Sequence, residues 1–351
     1  MKVLAAMSGG VDSSVAAALL VNEGHQVVGA TMKLWGGASD SGCCSVSDVD
    51  DARRVCHQLG IDHHVFNFSE DFDRHVVAPY VEAHRSGLTP NPCIECNRHI
   101  KFDRFLDRAI QLGFDAVATG HHARVVHRPG RPGELGTAAL VRGRDTAKDQ
   151  SYVLSMLGQA QLARLLLPVG EMTKAEVRAE AAGRGLRTAT KPDSQDVCFI
   201  TASAGRTAFL GRRIQLHPGR LVESSTGATV GSVDAVELVT VGQRRGIGSG
   251  PDGRRHYALA VDARAGQVTV GPLEELMTDV IRVGAWTWTA EPVAPGTAVG
   301  AQVSAHGRTL PARLDPDGRQ VHLAEPTRRV AAGQTVALYD GDEVLGSAVA
   351  V

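Results

Sequence analysis

Residues 8–14 read Ser-Gly-Gly-Val-Asp-Ser-Ser and lie between a short apolar run, residues 3–7, and an apolar-periodic stretch, residues 15–21. The two glycines allow a sharp turn that exposes backbone amides, and a helix that follows would present unpaired N–H groups and the positive end of its dipole. This junction therefore predicts a phosphate-binding loop. Asp12 would either orient a magnesium ion or brace the loop. The alternative without function is a capped turn between strand and helix.

Length and composition narrow the class of protein. A chain of 351 residues is too long for one ordinary core, so we expect two or three domains. No apolar run approaches the roughly 18 residues that a membrane helix needs, and the chain shows no signal peptide, so we expect a cytoplasmic protein. A net charge of −1 does not indicate a nucleic-acid-binding surface over the whole protein, so any RNA would be bound by local basic patches. The excess of Arg over Lys is explained equally well by genome base composition.

Strand-like and helix-like patterns alternate along the N-terminal part of the chain. The predicted strands are residues 3–7, 26–33, 63–68 and 115–119. The predicted helices are residues 13–22, 47–59, 70–84 and 98–112. Such alternation predicts an α/β domain with a Rossmann-like parallel sheet, whose ligand sites lie beyond the carboxyl ends of the strands. The phosphate-binding loop follows one of these ends.

Beyond about residue 205 the sequence pattern changes. Short Val-rich runs are separated by turns that contain Gly, Pro and Asp, which is typical of small antiparallel β-domains. We therefore expect an α/β domain over residues 1–205 and two small antiparallel β-rich domains over 206–278 and 279–351. The predicted strands are residues 228–233, 236–241, 257–261, 268–270, 280–288, 298–304, 319–323, 335–339 and 344–351. Within the first domain, residues 128–133 are typical of an exposed hairpin tip.

The placement of the cysteines is informative. Cys93 and Cys96 form a Cys-x-x-Cys pair behind two prolines, near the start of a helix, where the dipole lowers the thiol pKa. Such a pair alone is equally consistent with half of a zinc site, with a redox pair and with a chance spacing. Cys198 follows in a polar segment, residues 191–200. Cys56 has the setting of a core residue.

The chain resembles the bacterial tRNA-specific 2-thiouridylases of the MnmA type. Six motifs carry the resemblance in the family's order: residues 8–14, 91–102, 118–124, 148–152, 191–200 and 242–248. The resemblance implies a pyrophosphate-loop ATPase domain, a small central domain and a C-terminal β-barrel that together grip the anticodon arm of a tRNA. The implied product is 2-thiouridine at the wobble position of tRNAs for Lys, Glu and Gln, with ATP and Mg²⁺ required.

The resemblance also implies roles for particular residues. The tRNA contacts would be Asn91, Pro92, Cys93, His121, Lys148, Asp149, Gln150 and, more weakly, Gln334. The nucleotide would be bound by Ala6, Met7, Ser8, Gly9, Gly10, Val11, Asp12, Ser13, Ser14, Met32 and Gly120. Without the resemblance, Met32 would be taken for strand core, and His121, Lys148 and Asp149 for ordinary loop and turn residues.

By the same resemblance, Cys198 would carry the sulfur and Cys96 would be its partner. Many family members have Asp at the position of Cys93, so this chain departs from the pattern and offers three thiolates. Two hypotheses stay open. Cys198 forms a persulfide that Cys96 resolves as a transient disulfide, or Cys93, Cys96 and Cys198 hold a four-iron, four-sulfur cluster. Ligand count favours the cluster, and zinc lacks an evident fourth ligand.

Other classes of function share parts of this pattern. A different pyrophosphate-loop enzyme, such as an amidating synthetase, would need neither cysteine motif, and a non-catalytic nucleotide-binding or RNA-binding module would tolerate loss of Asp12 and Cys198. The sulfur donor, a cysteine desulfurase relay or sulfide, has no signature in the sequence. The oligomeric state is also open, with a monomer expected. Cys43 and Cys44 have no assignable role.

Overall fold

The computed structural model describes residues 1–34, 46–128, 136–193, 197–200, 205–250 and 253–351. Cys43, Cys44 and most of the predicted hairpin tip at residues 128–133 lie outside these ranges. Among the described residues, no helix is both long enough and apolar enough to cross a membrane.

The N-terminal domain is built on a parallel sheet in the order β3–β2–β1–β4–β7. This confirms the predicted α/β class. An antiparallel hairpin, β5 and β6, lies outside that sheet. The strands of this part are β1 (Lys2–Ala6), β2 (Gln26–Lys33), β3 (His63–Asn67), β4 (Ala116–Ala118), β5 (Ala123–Arg128), β6 (Thr137–Arg142) and β7 (Leu165–Leu166).

Helices cover the sheet. The α-helices of this part are α1 (Val11–Asn22), α2 (Val46–Leu59), α3 (Ser69–Phe72), α4 (Ala78–Arg85), α5 (Pro92–Glu95), α6 (Phe105–Gln111), α7 (Gln159–Leu162), α8 (Lys174–Gly183) and α9 (Gly205–Gly211). Wider π-helical turns, Asp73–Val77 and Cys96–Arg104, join α3 to α4 and α5 to α6. Short 3₁₀ turns occupy Ser151–Leu154, Pro168–Glu171 and Arg187–Thr190.

The helix α1 is buried on nearly every side. Val15, Ala17 and Ala18 are fully buried, and α1 shares a core cluster with Val177 and Ala181 of α8. Small alanines let the neighbouring backbones approach closely, so α8 is held next to the start of α1. Cys56 lies in the same cluster, as predicted, and burial raises the pKa of its thiol to about 12.

The central domain contains a mixed sheet in the order β10–β11–β8–β9, where β11 and β8 run parallel. The purely antiparallel arrangement predicted for this region was therefore wrong. The predicted strand at residues 236–241 was also wrong, because Val236–Leu238 forms a 3₁₀ turn that aims the buried Glu237 at His217. The elements are β8 (Gly219–Glu223), β9 (Thr229–Val233), β10 (Tyr257–Asp262), β11 (Gln267–Gly271) and α10 (Leu273–Leu276).

The C-terminal strands form a closed antiparallel barrel in the order β12–β16–β15–β14–β17–β18, which confirms the predicted fold. A bridge between Val283 and Ala350 closes it, with Val351 donating to the Arg282 carbonyl at 3.0 Å. The strands are β12 (Met277–Arg282), β13 (Thr287–Trp288), β14 (Ala298–Gln302), β15 (Leu310–Leu314), β16 (Gln320–Arg328), β17 (Thr335–Asp340) and β18 (Glu343–Val349).

The β5–β6 hairpin of the N-terminal domain extends the barrel sheet, because Val141 pairs with Glu343 of β18. Next to this pairing, the Arg142 guanidinium donates to Asp149 at 2.8 Å and to Gln302 and Thr309 at 2.7 Å each. It also lies 3.9 Å from the centre of the Tyr339 ring. Arg142 thus joins the N-terminal domain to the barrel.

Replacing Arg142 with Lys should lower the free energy of unfolding by about 2 kcal/mol, because a compact ammonium cannot keep these contacts and the ring stacking together. Urea unfolding measures the change. Arg128→Lys is the matched control, since Arg128 pairs with Glu343 from the same hairpin but is more than half exposed. Equal losses in the two variants would contradict the role of Arg142.

Candidate active site

The phosphate-binding loop lies between β1 and α1, at the carboxyl end of the sheet. Gly9 adopts φ +70°, and a Cβ at this position would lie 2.3 Å from the Asp48 carbonyl oxygen, so only glycine fits. Gly10 is the N-cap of α1 and provides no side-chain cap. The first turn of α1 therefore keeps N–H groups that an anion can accept. The loop suits the phosphates of a nucleotide.

Asp12 lies in the first turn of α1 and is held inside the protein. Its two carboxylate oxygens accept from the Lys174 ammonium at 2.7 and 2.8 Å, and one of them also lies 3.0 Å from His122 Nε2. Burial would raise the pKa of Asp12, but hydrogen bonds from His122 and Lys174 outweigh it and hold that pKa below its usual value. Lys174 and His122 occupy three of the roughly four acceptor positions of this carboxylate, and the Lys174 ammonium already neutralises its charge, so this donor set does not fit a magnesium ion and Asp12 braces the loop.

Two further groups tie the predicted cysteine motif at residues 191–200 to this loop. The Lys191 ammonium donates to the Gly9 carbonyl at 3.0 Å and to Asp48 and Asp51 at 2.6 and 2.8 Å. Asp193 accepts from Lys174 at 2.9 Å, and Lys174 also holds Asp12. Lys191 is thus hydrogen-bonded to the loop, and Asp193 is linked to Asp12 through Lys174.

Other residues predicted to bind the nucleotide lie in the core, in the loop itself or beside α1. Met7 is buried, and its backbone accepts from Thr31 Oγ1 at 2.8 Å, while Met32 of β2 packs in the main core cluster. Ser13 and Ser14 donate to the Gly10 carbonyl and so fix the loop. At Gly120, a Cβ would lie 2.5 Å from the Ser13 nitrogen, so the close approach that this glycine permits is to α1.

The Cys-x-x-Cys pair lies in the first turns of a helical run that begins at Pro92, six residues earlier than predicted. The reason is local, because Asn91 caps the helix by accepting from the amides of Cys93 and Ile94, and Pro92 occupies the first helical position. Cys93 is exposed and Cys96 is buried. Asn91 and Pro92, predicted to contact tRNA, therefore also build the helix that carries the cysteines.

Cys198 is half-buried and packs against the core cluster that contains Cys96. Its neighbour Phe199 lies among Phe72, Tyr80 and Phe209 at ring distances between 5.1 and 5.7 Å, which anchors this side of the segment. Within the described ranges, no group of three or more His, Cys, Asp or Glu side chains is placed to hold a metal ion. The three predicted cluster ligands are thus not assembled as a ligand set in this structure.

The motif at residues 148–152, predicted to contact tRNA, lies between the loop and the barrel. Lys148 donates to Asp193 at 2.9 Å, and the Gln150 side chain accepts from the His122 amide at 2.8 Å. Asp149 accepts from Arg142, from the Gly143 and Ser151 amides and from Ser151 Oγ. Ser151 Oγ lies 3.1 Å from Tyr339 Oη, and Tyr152 donates to the Thr335 carbonyl. Ser151 and Tyr152 thus join the N-terminal domain to the barrel.

Two more predicted tRNA contacts face inward. His121 is buried, with Nδ1 2.6 Å from Thr119 Oγ1 and Nε2 3.4 Å from the Lys101 ammonium. Burial, and secondarily the charge of Lys101, holds the pKa of His121 well below its usual value, so the ring is neutral. In the barrel, the Gln334 amide donates to the Thr89 carbonyl at 2.5 Å, just before the helix of the cysteine pair.

Four lysines take part in the site: Lys101, Lys148, Lys174 and Lys191. Of these, only Lys148 had a role assigned from the sequence, as a tRNA contact. One feature of the sequence could have pointed to them. Of the 37 basic residues, 31 are Arg and only six are Lys, and four of these six lysines lie at the site. Lys174 shows why the choice matters. The compact, rotatable ammonium of Lys174 reaches Asp12 and Asp193 from different directions, whereas the donors of a guanidinium are fixed in one plane. Lysine, the less common basic residue of this chain, is therefore concentrated at the site.

Gly120→Ala should lower the free energy of unfolding by about 1–3 kcal/mol, because the added methyl group meets the backbone of α1 and forces it to shift. Gly183→Ala is the control: it lies at the end of α8, where a Cβ meets nothing within 4 Å, and should be neutral or slightly stabilising. Urea unfolding of both variants measures the difference. An undisturbed Gly120→Ala protein would refute the close approach.

Three family models match consecutive parts of the chain. They are described as a tRNA methyl transferase HUP domain over residues 1–202, a tRNA methyl transferase PRC-barrel domain over 207–272 and an aminomethyltransferase beta-barrel domain over 278–350. Together they match nearly the whole chain, and the order of α/β domain, central domain and barrel agrees with the observed fold.

Curated relatives match from end to end. The chain is 48% identical to the tRNA-specific 2-thiouridylase MnmA of Chloroflexus aggregans, covering 98% of this chain and 96% of the relative. It is 46% identical to the proteins of the same name from Beutenbergia cavernae and Mycobacteroides abscessus, covering 99% of this chain and 94% and 99% of those relatives. The chain therefore belongs to the family of tRNA-specific 2-thiouridylases of the MnmA type.

Proposed function

We propose that this chain is an ATP-dependent tRNA sulfurtransferase that converts the wobble uridine of tRNAs for Lys, Glu and Gln to 2-thiouridine. One observation carries the proposal: Lys191 and Asp193, which precede Cys198 closely in the sequence, are both tied to a loop shaped for phosphate. Lys191 donates to the Gly9 carbonyl, and Asp193 pairs with Lys174, which also holds Asp12. A nucleotide site and a thiol are thereby built into one arrangement. The membership of the family supports the same substrate class.

The chemistry explains why both parts are needed. The C2 oxygen of uridine is a poor leaving group, so it must be activated before sulfur can replace it. Attack of this oxygen on the α-phosphate of ATP releases pyrophosphate and leaves an adenylated base, from which AMP can depart. The base has to be extruded from the RNA stack to reach both the nucleotide and the thiol.

The nucleotide contacts that we propose follow from the geometry of the loop. The amides at the start of α1 would bind the β- and γ-phosphates, and Lys174 and Lys191 lie beside them as the neighbouring cations. Both ammonium groups are held by carboxylates, so they are oriented before the ligand arrives. Because Asp12 does not fit a magnesium ion here, we derive no step through that ion.

For sulfur transfer, we propose the persulfide route. The terminal sulfur of a Cys198 persulfide attacks C2 of the adenylated base, and AMP leaves with the former C2 oxygen. A Cys96 thiolate then attacks Cys198 Sγ, which forms a Cys96–Cys198 disulfide and releases the thiocarbonyl on the base. The two electrons that reduce the transferred sulfur come from these thiols, so an external thiol must reduce the disulfide before the next turnover. Cys96 and Cys198 belong to the same packed region, as this step requires.

The family models name a methyl transferase, and the site distinguishes between the two reactions. Methyl transfer to a base needs a methyl donor and no phosphate activation, so it would leave the loop at residues 8–14 and the tie to Cys198 without purpose. Sulfur transfer uses both features. An amidating synthetase would use the loop but not the cysteines. The combination therefore favours sulfur transfer.

The partners follow from the reaction. The tRNA would present its anticodon arm to the catalytic domain over residues 1–205, with the central domain and the barrel, residues 206–278 and 279–351, adding contacts. Gln334 supports this indirectly, since it ties the barrel to Thr89 beside the cysteine helix. A cysteine desulfurase relay or sulfide would supply the sulfur. We propose that the protein works as a cytoplasmic monomer.

Cys198→Ala and Cys96→Ala should each reduce thiolation of unmodified tRNA by at least about a thousandfold, because each removes a thiol that no other group replaces. Binding of tRNA should change little in both variants. The assay measures ATP-dependent release of AMP and pyrophosphate together with sulfur in the RNA. Cys56→Ala is the control, since Cys56 lies in a separate core cluster and should leave the activity intact. Residual thiolation in either cysteine variant would exclude its assigned role.

Protein purified without oxygen should contain no stoichiometric iron or acid-labile sulfide and should remain active, because the described cysteines are not placed as a ligand set. Iron and sulfide analysis beside the thiolation assay tests this. If about four irons per chain accompany the activity, and Cys93→Ala removes both, the cluster hypothesis replaces the persulfide route.

A further inference from the structure

Lys101 is held differently from the other three lysines of the site. The ammonium groups of Lys148, Lys174 and Lys191 each lie 2.6 to 2.9 Å from an Asp carboxylate. The Lys101 ammonium instead lies 3.4 Å from Nε2 of His121. Within the described part of the chain, no Asp or Glu carboxylate lies within 4.0 Å of it, and the residue is partly exposed. Lys101 therefore brings to the site a positive charge that no described side chain neutralises.

His121, the partner of this ammonium, is a neutral ring of fixed orientation. Burial holds the pKa of His121 well below its usual value, and Nδ1 lies 2.6 Å from Thr119 Oγ1. An ammonium can only donate, so Nε2 accepts from Lys101, and Nδ1 carries the ring proton and donates to Thr119. The contact with Lys101 is long and joins a cation to a neutral acceptor. The ammonium can therefore turn toward an incoming anion without breaking an ion pair.

The position of His121 places this ammonium near the phosphate-binding loop. The residues on either side of His121 both lie against the first turn of α1. A Cβ at Gly120 would lie 2.5 Å from the Ser13 nitrogen, and His122 Nε2 lies 3.0 Å from the Asp12 carboxylate. The segment that carries His121 thus runs along the turn of α1 that offers its amides to phosphate.

The backbone of Lys101 belongs to the helical run that carries the cysteine pair. The π-helical turns Cys96–Arg104 begin at the buried Cys96, and in a π-helix each turn spans about five residues. Lys101 therefore lies one turn after Cys96 on the same helix. Its side chain extends from this helix to His121, so it connects the cysteine helix to the border of the phosphate-binding loop.

We propose that Lys101 is a catalytic residue for adenylation, with His121 as its positioning residue. Lys101 would stabilise the negative charge that develops on the α-phosphate of ATP, an assignment that rests on the proposed function for the nucleotide and the base. The extruded base has to reach both the nucleotide and a thiol, so the α-phosphate lies between the loop and the cysteine helix. The Lys101 side chain spans these two elements, and its charge is not already neutralised.

The charge that Lys101 meets follows from the bonds that change. The C2 oxygen of the uridine forms a bond to the α-phosphorus, and the bond from that phosphorus to the bridging oxygen breaks. Pyrophosphate leaves with the electron pair, and the N3 proton of the base passes to water. Negative charge is spread over the remaining α-phosphate oxygens in the transition state, where a fixed cation stabilises it more than in the bound ATP.

The first experiment measures adenylation alone, as the rate at which unmodified tRNA takes up label from α-labelled ATP without a sulfur donor. Lys101→Ala should lower this rate at saturating ATP and tRNA by about a hundredfold or more. The affinities for ATP and tRNA should change less than about fivefold, because the contact is strongest in the transition state. Lys2→Ala is the matched control, since Lys2 is exposed at the amino end of β1, and it should behave as wild type.

The second experiment separates the charge of Lys101 from its packing. Propylammonium has the length and charge of the side-chain part that Lys101→Ala lacks, so adding it should restore adenylation about tenfold or more. 1-Propanol has a similar length without the charge and should restore nothing. Lys101→Gln, which keeps much of the side-chain length and loses the charge, should be as slow as Lys101→Ala, and it replaces that variant if Lys101→Ala does not fold.

Three results would overturn the assignment. They are adenylation by the neutral variants within about fivefold of wild type, equal rescue by propylammonium and 1-propanol, and a defect that disappears at saturating tRNA. The last result would make Lys101 a tRNA contact without a part in the reaction.

The proposed function is judged by the wild-type protein in the same assay. If the wild type adenylates tRNA and the Lys101 variants do so equally fast, the proposed function stands and the role of Lys101 falls. If the wild type adenylates tRNA in a Lys101-dependent way but no sulfur enters the RNA when a donor is added, the role of Lys101 stands and the assigned sulfur transfer falls. If the wild type does not adenylate tRNA, both fall.

Discussion

The ammonium of Lys174, shared by Asp12 and Asp193, is the contact on which the arrangement of the site depends. It joins three parts of the chain that are far apart in sequence: the start of α1, the start of α8 and the segment before Cys198. Partly buried ion pairs of this kind contribute little net stability, because desolvation offsets the attraction. Their value lies in geometry, since Lys174 reaches both carboxylates only when all three parts are in place.

The barrel takes part in the same arrangement. Arg142 and Tyr339 join it to the motif at residues 148–152, and that motif reaches the loop through Gln150 and His122. Hydrogen bonds and the backbone of residues 149–151 thus together connect the barrel to Asp12. The domain that is expected to meet RNA is thereby packed directly against the supports of the nucleotide loop.

Several residues that were expected to face a ligand also support the structure of the site. Asp149 is nearly buried among donors, Gly120 makes room for α1, and Asn91 caps the cysteine helix. Motif residues can thus hold the site in place through contacts within the protein. Lys174 shows a similar constraint, because a small rotatable charge fits between Asp12 and Asp193, which lie in different parts of the chain.

The sequence by itself determined the α/β domain, the turn between β1 and α1, the C-terminal antiparallel strands and the burial of Cys56, because periodicity, glycine pairs and turn residues are local signals. The closing of those strands into a barrel was expected only from the family resemblance. The tertiary structure alone decided that Lys174 holds Asp12 and Asp193, that β11 pairs parallel to β8, and that the β5–β6 hairpin extends the barrel. Contacts between residues such as Asp12 and Lys174, 162 positions apart, leave no local pattern. They exist only once packing has brought separate elements together.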